Sequence, residues 1–385
     1  MNDSTGAVSV SVQLANPDGL APISLEGHTV VLTATSSYQA TTDADGKATF
    51  TDIVPDVYSI STSWKLTADE YAAATGTTVE NRSYTVSGSL ASLVLQASTA
   101  DPVALATTAT QDPTVVIGKV YYQGSKDDNN RNYVYARYLE LYNNSPTDVD
   151  VAGLYIALME SASPTSDYPL QYLQDTVVAK QVFQIPSEQP FVVAPGGTVL
   201  IANSAVDHAT KGAATEPDLL GADFEAKDLN STRPHENNPA TPALTLVYSY
   251  TNQTYMNLTQ GGPCAVAIFQ TDDDVATRWM DTHMTYRYGK QSGTQLMKIP
   301  VRCIVDAVEI LKYNGETGAD LNTKRLFDYL DAGCTYTEAK SGYDGRLVVR
   351  RTASRTDDGR AILQDTNNST SDFVATDKLK PREYF

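Results

Sequence analysis

Histidine can act as a general base and bind metals near neutral pH, but it occurs only four times in the chain. The four are His28, His208, His235 and His283. None lies in a G-x-S-x-G, H-E-x-x-H or P-loop pattern. The glycines after Pro195 fit a turn between strands, because no helical pattern follows to cradle a phosphate. The sequence therefore predicts no catalytic residues and a protein that is not an enzyme.

Two of these histidines, His208 and His235, are the candidates for a metal site. They lie in one acidic segment, and imidazole with carboxylate can ligate a transition metal. Their spacing is loose, however, and solvated loop histidines are the alternative. The run Asp272-Asp273-Asp274 lacks the alternating ligands and glycine of a calcium loop, so we interpret it as a solvated turn. We expect no cofactor.

Aromatic residues gather at one further place, with Trp279, Tyr286 and Tyr288 close together in the sequence. Such rings can stack on sugar rings or on aromatic chelators. Half-buried aromatic residues of strands are the alternative explanation. We take these three residues as candidates for ligand binding.

Five arginines form a local basic patch near the C-terminal end of the sequence. Arginine forks pair well with carboxylates, so we interpret the patch first as structural ion pairs. The five are Arg346, Arg350, Arg351, Arg355 and Arg360.

Composition indicates a globular, acidic, β-rich protein. Apolar residues make up 41% of the chain and charged residues only 19%, which is enough apolar surface for real cores. The net charge of −18 repels phosphate backbones, which argues against a nucleic-acid partner. The 23 tyrosines favour sheet. Three cysteines without C-x-x-C spacing predict neither a zinc site nor a disulfide framework, and at most one bridge.

The first ninety residues read as a series of short strands. Val8, Val10, Val12 and Leu14 alternate with polar residues, which predicts a half-buried strand. In the turn at residues 43–46, Gly46 supplies a positive φ. Further strands are predicted at residues 29–35, 38–42, 47–50, 57–62, 83–87 and 92–96. This spacing is typical of a β-sandwich.

The run TTDADGKATF at residues 41–50, followed by IVPDVYSI at 53–60, resembles the carboxypeptidase-regulatory and collagen-adhesin B-type family of prealbumin-like domains. The resemblance covers residues 7–96 and implies a spacer or stalk rather than a site of chemistry. We therefore expect a first domain at 1–96. Residues 97–113 are rich in Ala, Thr and Ser and show no periodicity, which predicts an extended linker.

The rest of the chain resembles the lamin-tail domain, an immunoglobulin-like β-sandwich. Its signature strand reads YLELYN at 138–143, followed by VDVAGLYI at 149–156. The later marks follow in order at residues 183–186, 193–202, 304–308, 346–350, 358–360 and 365–373. We expect this second domain at 114–385. The predicted fold class is all-β, a prealbumin-like sandwich followed by a larger lamin-tail-like sandwich.

The second domain is far longer than a lamin tail. Insertions are therefore expected at roughly residues 160–180, 204–245 and 270–300. Binding residues often lie on loops that a rigid scaffold holds in position. Any local function is expected in these insertions.

The pairing of these two domains resembles an uncharacterised family of surface lipoproteins from Bacteroidetes. The resemblance implies export, an N-terminal lipid anchor absent from this chain, and location on the outer face of the outer membrane. It also implies that such proteins associate with TonB-dependent receptors of the outer membrane. Residues 1–6 have no basic or apolar signal region, so we expect that a signal segment has been removed. No stretch approaches the roughly 18 apolar residues of a membrane span, which leaves only the lipid anchor as attachment.

The first hypothesis is a non-catalytic cell-surface binding lipoprotein that assists a TonB-dependent receptor in nutrient capture. Its ligand is open between glycan, peptide and chelated iron. An adhesin or spacer is the second hypothesis. A diverged hydrolase is the third, because lamin-tail modules accompany some nucleases.

Overall fold

A computed structural model describes residues 6–18, 20–76, 83–112, 114–161, 173 and 175–385. The chain divides into two compact units, Met1–Asp112 (unit 1) and Pro113–Phe385 (unit 2). Strands hold 39% of the residues and helices only 8%, which confirms the predicted all-β fold class. No helix among the described residues is long and apolar enough to cross a membrane.

Unit 1 contains two sheets with strand orders β3-β2-β5-β6-β8 and β4-β1-β7. Its core lies between them and includes Val12, Leu32 and Ile60. The elements are β1 (Val8–Leu14), β2 (Thr29–Thr33), β3 (Ser37–Thr41), β4 (Lys47–Ile53), β5 (Asp56–Leu66), α1 (Ala68–Thr75), β6 (Tyr84–Leu95), β7 (Val103–Leu105) and β8 (Thr108–Gln111).

The period-two pattern of β1 is confirmed, because its buried residues alternate with half-buried ones from Val8 to Leu14. The Gly46 turn is confirmed too, with φ at 76° and a hydrogen bond from Gly46 N to Asp43 O. Helix α1 is not among the predicted elements. Its capping box, in which Thr67 and Glu70 bond each other's backbone, is nonetheless readable as T-x-x-E.

The linker prediction for residues 97–113 is wrong over most of its length. Strand β7 adds in parallel to the edge of β1, and β8 pairs with β6. Leu105 is 2% exposed in the core, and Thr107 Oγ1 donates to Ala15 O at 2.7 Å. Strands of three and four residues are too short to show periodicity, and these two are fixed by the sheet edges that they cover.

Unit 2 is a larger assembly of strands with short helical turns. Its elements are β9 (Val115–Tyr121), β10 (Ser125–Lys126), β11 (Asn132–Tyr133), β12 (Tyr138–Asn143), β13 (Val149–Asp150), β14 (Tyr155–Met159), β15 (Thr176–Gln184), β16 (Val192–Val193), β17 (Thr198–Ala202), β18 (Phe224–Glu225), β19 (Thr245–Ser249), β20 (Val266–Phe269), α2 (Arg278–Thr282), β21 (Met284–Tyr286), β22 (Gln295–Pro300), β23 (Ile304–Val308), β24 (Leu347–Arg350), β25 (Thr352–Arg355), β26 (Ala361–Leu363), α3 (Ser369–Asp372) and β27 (Phe373–Thr376).

Two large sheets form the frame of unit 2. One has the order β18-β17-β12-β9-β24-β27, and the other has β21-β22-β15-β14-β20-β23 with β19 also paired to β15. The main core lies between them and includes Ile117, Leu141 and Ile156. Strands β9, β12 and β14 are buried on both faces. The outer faces are therefore covered as well, by the segments between strands.

The sequence motifs that carry the lamin-tail resemblance meet at Arg350, which is 2% exposed. Its guanidinium lies 2.7 Å from Asp306, 3.1 Å from Asp365 and 3.5 Å from Asp372. Its Nε donates to Ile117 O at 2.9 Å. Structural ion pairing, which we predicted for the arginine patch, holds for Arg350.

A second buried pair links β9 to β12. Lys119 and Glu140 are opposite each other in the register, with Nζ 3.7 Å from Oε1 and neither side chain exposed. Burial lowers the pKa of Lys119 and raises that of Glu140. Glu140 also accepts a hydrogen bond from Arg382 N at 2.7 Å, which ties the last segment of the chain to the sheet.

The predicted insertions differ in what they build. The first, at 160–180, lies largely outside the described residues, which omit 162–172 and 174. The third, at 270–300, forms α2 and adds β21 and β22 to a sheet edge. The second, at 204–245, is mostly irregular and carries a short 3-10 helix at Ala209–Lys211. Only this second insertion brings the predicted histidines together.

Candidate functional site

The candidate site is a pocket of about 260 Å³ at one end of the six-stranded sheet. Strands β12 and β17 are antiparallel, with Tyr138 opposite Ala202. The residues just before β12 and just after β17 therefore meet at the same sheet end. We call this the histidine pocket, lined by Tyr133, Tyr135, Ser204, Val206, His208, Lys211, Pro234, His235 and Glu236.

His208 forms the floor of the histidine pocket and is fully buried. Its Nε2 lies 2.9 Å from Ser204 O, and its Nδ1 lies 2.7 Å from the Tyr133 hydroxyl. A carbonyl only accepts, so Nε2 carries the proton and Nδ1 accepts from Tyr133. Burial lowers the pKa of His208. Both ring nitrogens of this neutral imidazole are therefore in use.

His235 differs because one of its nitrogens is left without a partner. The residue is 6% exposed, and its buried Nδ1 makes no hydrogen bond. Burial lowers the pKa of His235 to about 4, although the Asp228 carboxylate acts in the opposite direction. The ring is thus neutral at physiological pH. A buried polar atom without a partner costs about 1–3 kcal/mol, which a ligand hydrogen bond would recover.

Aromatic rings surround the unpartnered histidine. The Tyr135 ring meets the His235 ring edge to face, with centroids 4.8 Å apart, and Tyr255 lies 4.1 Å away on a tilted plane. Tyr135 is 37% exposed, so part of its ring faces solvent. Lys211 and Glu236 close the rim with a 2.9 Å ion pair. A ligand there would meet one aromatic ring and hydrogen-bonding groups.

Buried carboxylates hold the second insertion in place. Glu225, which is fully buried, accepts from Ala205 N at 2.7 Å and from Asn238 N at 3.0 Å. Asp228 accepts from His235 N at 2.9 Å. The backbone around His235 is therefore fixed by charge-assisted hydrogen bonds, and the pocket is preformed.

The two predicted metal candidates are close together, but the chemistry around them favours other ligands. A metal on His208 would have to displace Tyr133 or Ser204 from a ring nitrogen. In the described ranges, no group of three or more His, Cys, Asp and Glu side chains is arranged to hold a metal. The lone pair on His235 Nδ1 suits a hydroxyl or N–H donor of a ligand.

The second predicted group, Trp279 with Tyr286 and Tyr288, is not an open stacking surface. Trp279 is 1% exposed and lies between Phe269 and His283, with ring centroids at 5.6 Å and 4.4 Å. The prediction of ligand stacking is therefore wrong for Trp279, which is a core residue. Tyr286 is half-buried in β21, and Tyr288 is 49% exposed.

The remaining polar motifs have structural roles or different surroundings. Asp273 pairs with Arg278 at 3.0 Å and accepts from Trp279 Nε1, so the aspartate run anchors α2. Apart from Arg350, no patch arginine lies within 4.0 Å of a carboxylate oxygen among the residues that the structure describes, so the ion pairs predicted for them are not formed. Arg355 donates only to carbonyls, those of Gly359 and Tyr384.

One hydroxyl and amine cluster bears on the hydrolase hypothesis. Lys180 is 1% exposed and donates to Ser161 Oγ at 2.5 Å and to Thr259 Oγ1 at 2.7 Å. Burial lowers the pKa of Lys180 to about 8. The two hydroxyls satisfy a buried amine, which explains the cluster without catalysis. The histidine pocket itself has a single lining carboxylate, Glu236, and that one is paired with Lys211.

Sequence reasoning missed Tyr133 and Tyr135, which complete the histidine pocket. Both come shortly before the YLELYN strand, and that strand is antiparallel to the one that precedes His208. The signal was present in the order of the strands. It required the pairing of β12 with β17, which no local pattern reveals.

Comparisons with known proteins give a family match and one shared fold. Residues 194–379 match the family described as protein of unknown function (DUF4876). The chain is similar to the crystal structure of a DUF4876 family protein from Bacteroides thetaiotaomicron VPI-5482, with 23% identity and a TM-score of 0.64. That match covers 95% of this chain and 94% of the other. No curated protein matches.

Two other solved structures match only weakly. A DUF3823 family protein from Parabacteroides merdae ATCC 43184 is 11% identical, with a TM-score of 0.18, over 51% of this chain and 79% of that one. Fervidolysin from Fervidobacterium pennivorans, a keratinolytic enzyme related to subtilisin, is 14% identical, with a TM-score of 0.19, over 51% and 30%. A likeness this weak indicates neither the fold nor the activity of this chain. The chain thus has the fold of the solved Bacteroides protein, and its residues 194–379 match the uncharacterised DUF4876 family.

Proposed function

We propose that the protein is a non-catalytic binding lipoprotein of the cell surface that assists a TonB-dependent outer-membrane receptor in nutrient capture. Its ligand contact is the histidine pocket. The observation that supports this is the buried, partnerless Nδ1 of His235 beside the partly exposed ring of Tyr135. The absence of this hydrogen bond is a cost in the unliganded protein that a bound ligand removes.

The pocket chemistry selects among the ligand classes that the sequence left open. A neutral imidazole acceptor and an exposed tyrosine ring match a sugar, which offers hydroxyl donors and an apolar face. Chelated iron has less support, because in the described part of the chain no group of three or more His, Cys, Asp and Glu side chains is arranged to hold a metal ion. The pocket volume of about 260 Å³ is enough for a single sugar unit or chain end. We therefore take a neutral glycan as the ligand class.

The experiment is a binding screen of the full chain against immobilised neutral oligosaccharides. Tyr135→Ala removes the exposed ring, and Tyr329→Ala serves as the control because Tyr329 is 46% exposed outside the pocket. We expect binding to fall about tenfold in Tyr135→Ala, since a stacked aromatic ring contributes up to about 1.5 kcal/mol beyond its buried area. Equal binding by both variants, or none by the wild type, would refute the glycan proposal.

The receptor part is tested separately. The tagged protein, expressed in its host with its own leader, is cross-linked on intact cells, and the captured membrane proteins are identified. Recovery of a TonB-dependent receptor with the wild type is expected. Recovery of periplasmic proteins alone would contradict the surface location.

A further inference from the structure

A cleft of about 810 Å³ in unit 2, separate from the histidine pocket, has the opposite electrostatic character to the rest of the protein. The chain as a whole has a net charge of −18. The side chains that line this cleft nevertheless include four cations against two carboxylates, Asp358 and Glu383. We call it the basic cleft, defined by Arg355, Arg360, Lys378 and Arg382.

Three of the four cations have no carboxylate partner. Among the residues that the structure describes, no carboxylate oxygen lies within 4.0 Å of Arg355, Arg360 or Lys378. Arg382 is paired with Asp223 at 2.9 Å. Of the two lining carboxylates, Glu383 pairs with Lys380, whereas Asp358 accepts from the Thr356 hydroxyl and also interacts electrostatically with Arg360. The cleft therefore carries more positive than negative side-chain charge, which Asp358 offsets only in part.

The fold holds the arginines in position. Arg355 and Arg360 flank the turn of the β25–β26 hairpin, and Arg355 donates to Gly359 O and Tyr384 O, both at 2.9 Å. These two bonds leave further guanidinium donors available, because an arginine has five. The fork is thus oriented by carbonyls, which do not cancel its charge.

The side chain of Arg360 packs closely against a glycine. A Cβ at Gly196, where φ is 76°, would lie 2.7 Å from Arg360 Cγ and 2.9 Å from Cδ. The stem of Arg360 therefore crosses the turn at a place where only glycine leaves room. On the other wall, the Tyr384 hydroxyl packs where a side chain at Gly118 would lie. Two close backbone approaches thus shape the cleft.

We propose that the basic cleft binds a compact anion that carries two or three carboxylates. Guanidinium forks match carboxylates in geometry, and three cations without a carboxylate within 4.0 Å, two on the β25–β26 hairpin and Lys378 after β27, favour a ligand with more than one anionic group. A long polyanion is disfavoured, because outside the cleft it would meet the repulsive field of an acidic protein. The ligand is therefore of the size of a tricarboxylate rather than a polymer.

The test uses citrate as the probe and calorimetric titration of the full chain at low and high salt. The variant is Arg355→Gln with Arg360→Gln. The matched control is Arg131→Gln with Arg278→Gln, two exposed arginines outside the cleft that give the same change of net charge. Citrate binding is expected to fall about tenfold or more in the cleft variant and to stay within about twofold in the control. Binding is also expected to weaken with salt.

A second pair of variants changes shape without charge. Gly196→Ala places a methyl group against the side chain of Arg360. Gly289→Ala is the control, because Gly289 has a similar φ of 73° and no heavy atom lies within 4 Å of a Cβ there. Weaker citrate binding in the first and not in the second supports the cleft. Tyr135→Ala is expected to leave citrate binding unchanged, so this proposal and the glycan proposal fail independently.

Three results would overturn the proposal. The first is no citrate binding by the wild type in the millimolar range. Equal weakening in the cleft and control pairs would be the second, because it would indicate only the general charge of the surface. The third is binding of heparin without binding of citrate, which would indicate a polymer site.

Discussion

At the scale of single residues, the charged side chains of unit 2 are divided between buried structural clusters and an open cleft. Arg350 pairs with three aspartates, which come from β23, from the segment after β26 and from α3. Arg355 and Arg360, close to it in the sequence, instead face a cleft. The sequence predicted ion pairing for all of them alike, because the partners of an arginine depend on which strands are adjacent.

Replacement of Arg350 by Met is expected to destabilise the protein by about 3–5 kcal/mol. The substitution leaves Asp306 and Asp372, which are buried, and Asp365, which is half-buried, without this counter-charge. The control is Arg351→Met at the exposed adjacent position, where a change within about 0.5 kcal/mol is expected. Urea unfolding gives both values. A loss below about 1 kcal/mol for Arg350→Met would contradict the structural role of the cluster.

Glu309 makes stability depend on pH. Burial raises its pKa to about 8, although hydrogen bonds from Arg325 N and Leu326 N act against this. The ordinary value of 4.5 applies to the unfolded chain, so between the two values the folded protein keeps a proton that the unfolded chain has lost. The contribution of Glu309 to the free energy of unfolding therefore falls as pH rises through this window.

The variant Glu309→Gln cannot ionise and should lack this decline. Relative to the wild type, its free energy of unfolding is expected to rise by on the order of 3 kcal/mol between about pH 5 and about pH 8. Urea unfolding across this range measures the difference. Any cost of the new amide is independent of pH and does not affect the slope. Parallel pH profiles of the two proteins would show that Glu309 is ionised when folded.

At the scale of elements, period-two patterns predicted the half-buried strands and failed where burial is complete or strands are short. Strand β1 was predicted at its observed bounds, because one face is in the core. Residues 83–87 and 92–96 were predicted as two strands but form one, β6. Strands β7 and β8 were missed, because only their sheet partners define them.

A fragment of residues 1–112 is therefore expected to be more stable than one of residues 1–96. The shorter fragment loses β7 and β8 and uncovers the buried site of Leu105. The difference in the free energy of unfolding should be at least about 2 kcal/mol, the range for loss of a buried leucine. Chemical denaturation of both fragments measures it. Equal stabilities would restore the linker interpretation of residues 97–113.

The irregular segment between β23 and β24 was not among the predicted insertions. It is held by side chains distant in sequence, since Asp331 accepts from Glu309 N at 2.7 Å and from Ser369 N at 2.8 Å. Such long-range contacts produce no periodic pattern in the sequence. The same reason explains why the candidate site was predicted only in part, with His208 and His235 but without the tyrosines that line it.

At the scale of the whole molecule, the regular sheets and the irregular segments between strands have different roles. The two sandwiches supply cores, and the segments that leave the larger one form a neutral pocket and a basic cleft on an otherwise acidic chain. Among the described residues, neither place assembles a nucleophile, base and orienting acid. The family resemblance predicts a binding role, while the position of the pocket comes only from the fold.

Hydrogen exchange, measured on the full chain with and without the oligosaccharide that binds best in the screen, shows whether a sugar occupies the histidine pocket. We predict slower exchange at residues 132–136 and 204–238, the segments that carry Tyr135 and His235, and unchanged exchange in unit 1. Protection confined to other segments, or none at a saturating sugar concentration, would contradict the account.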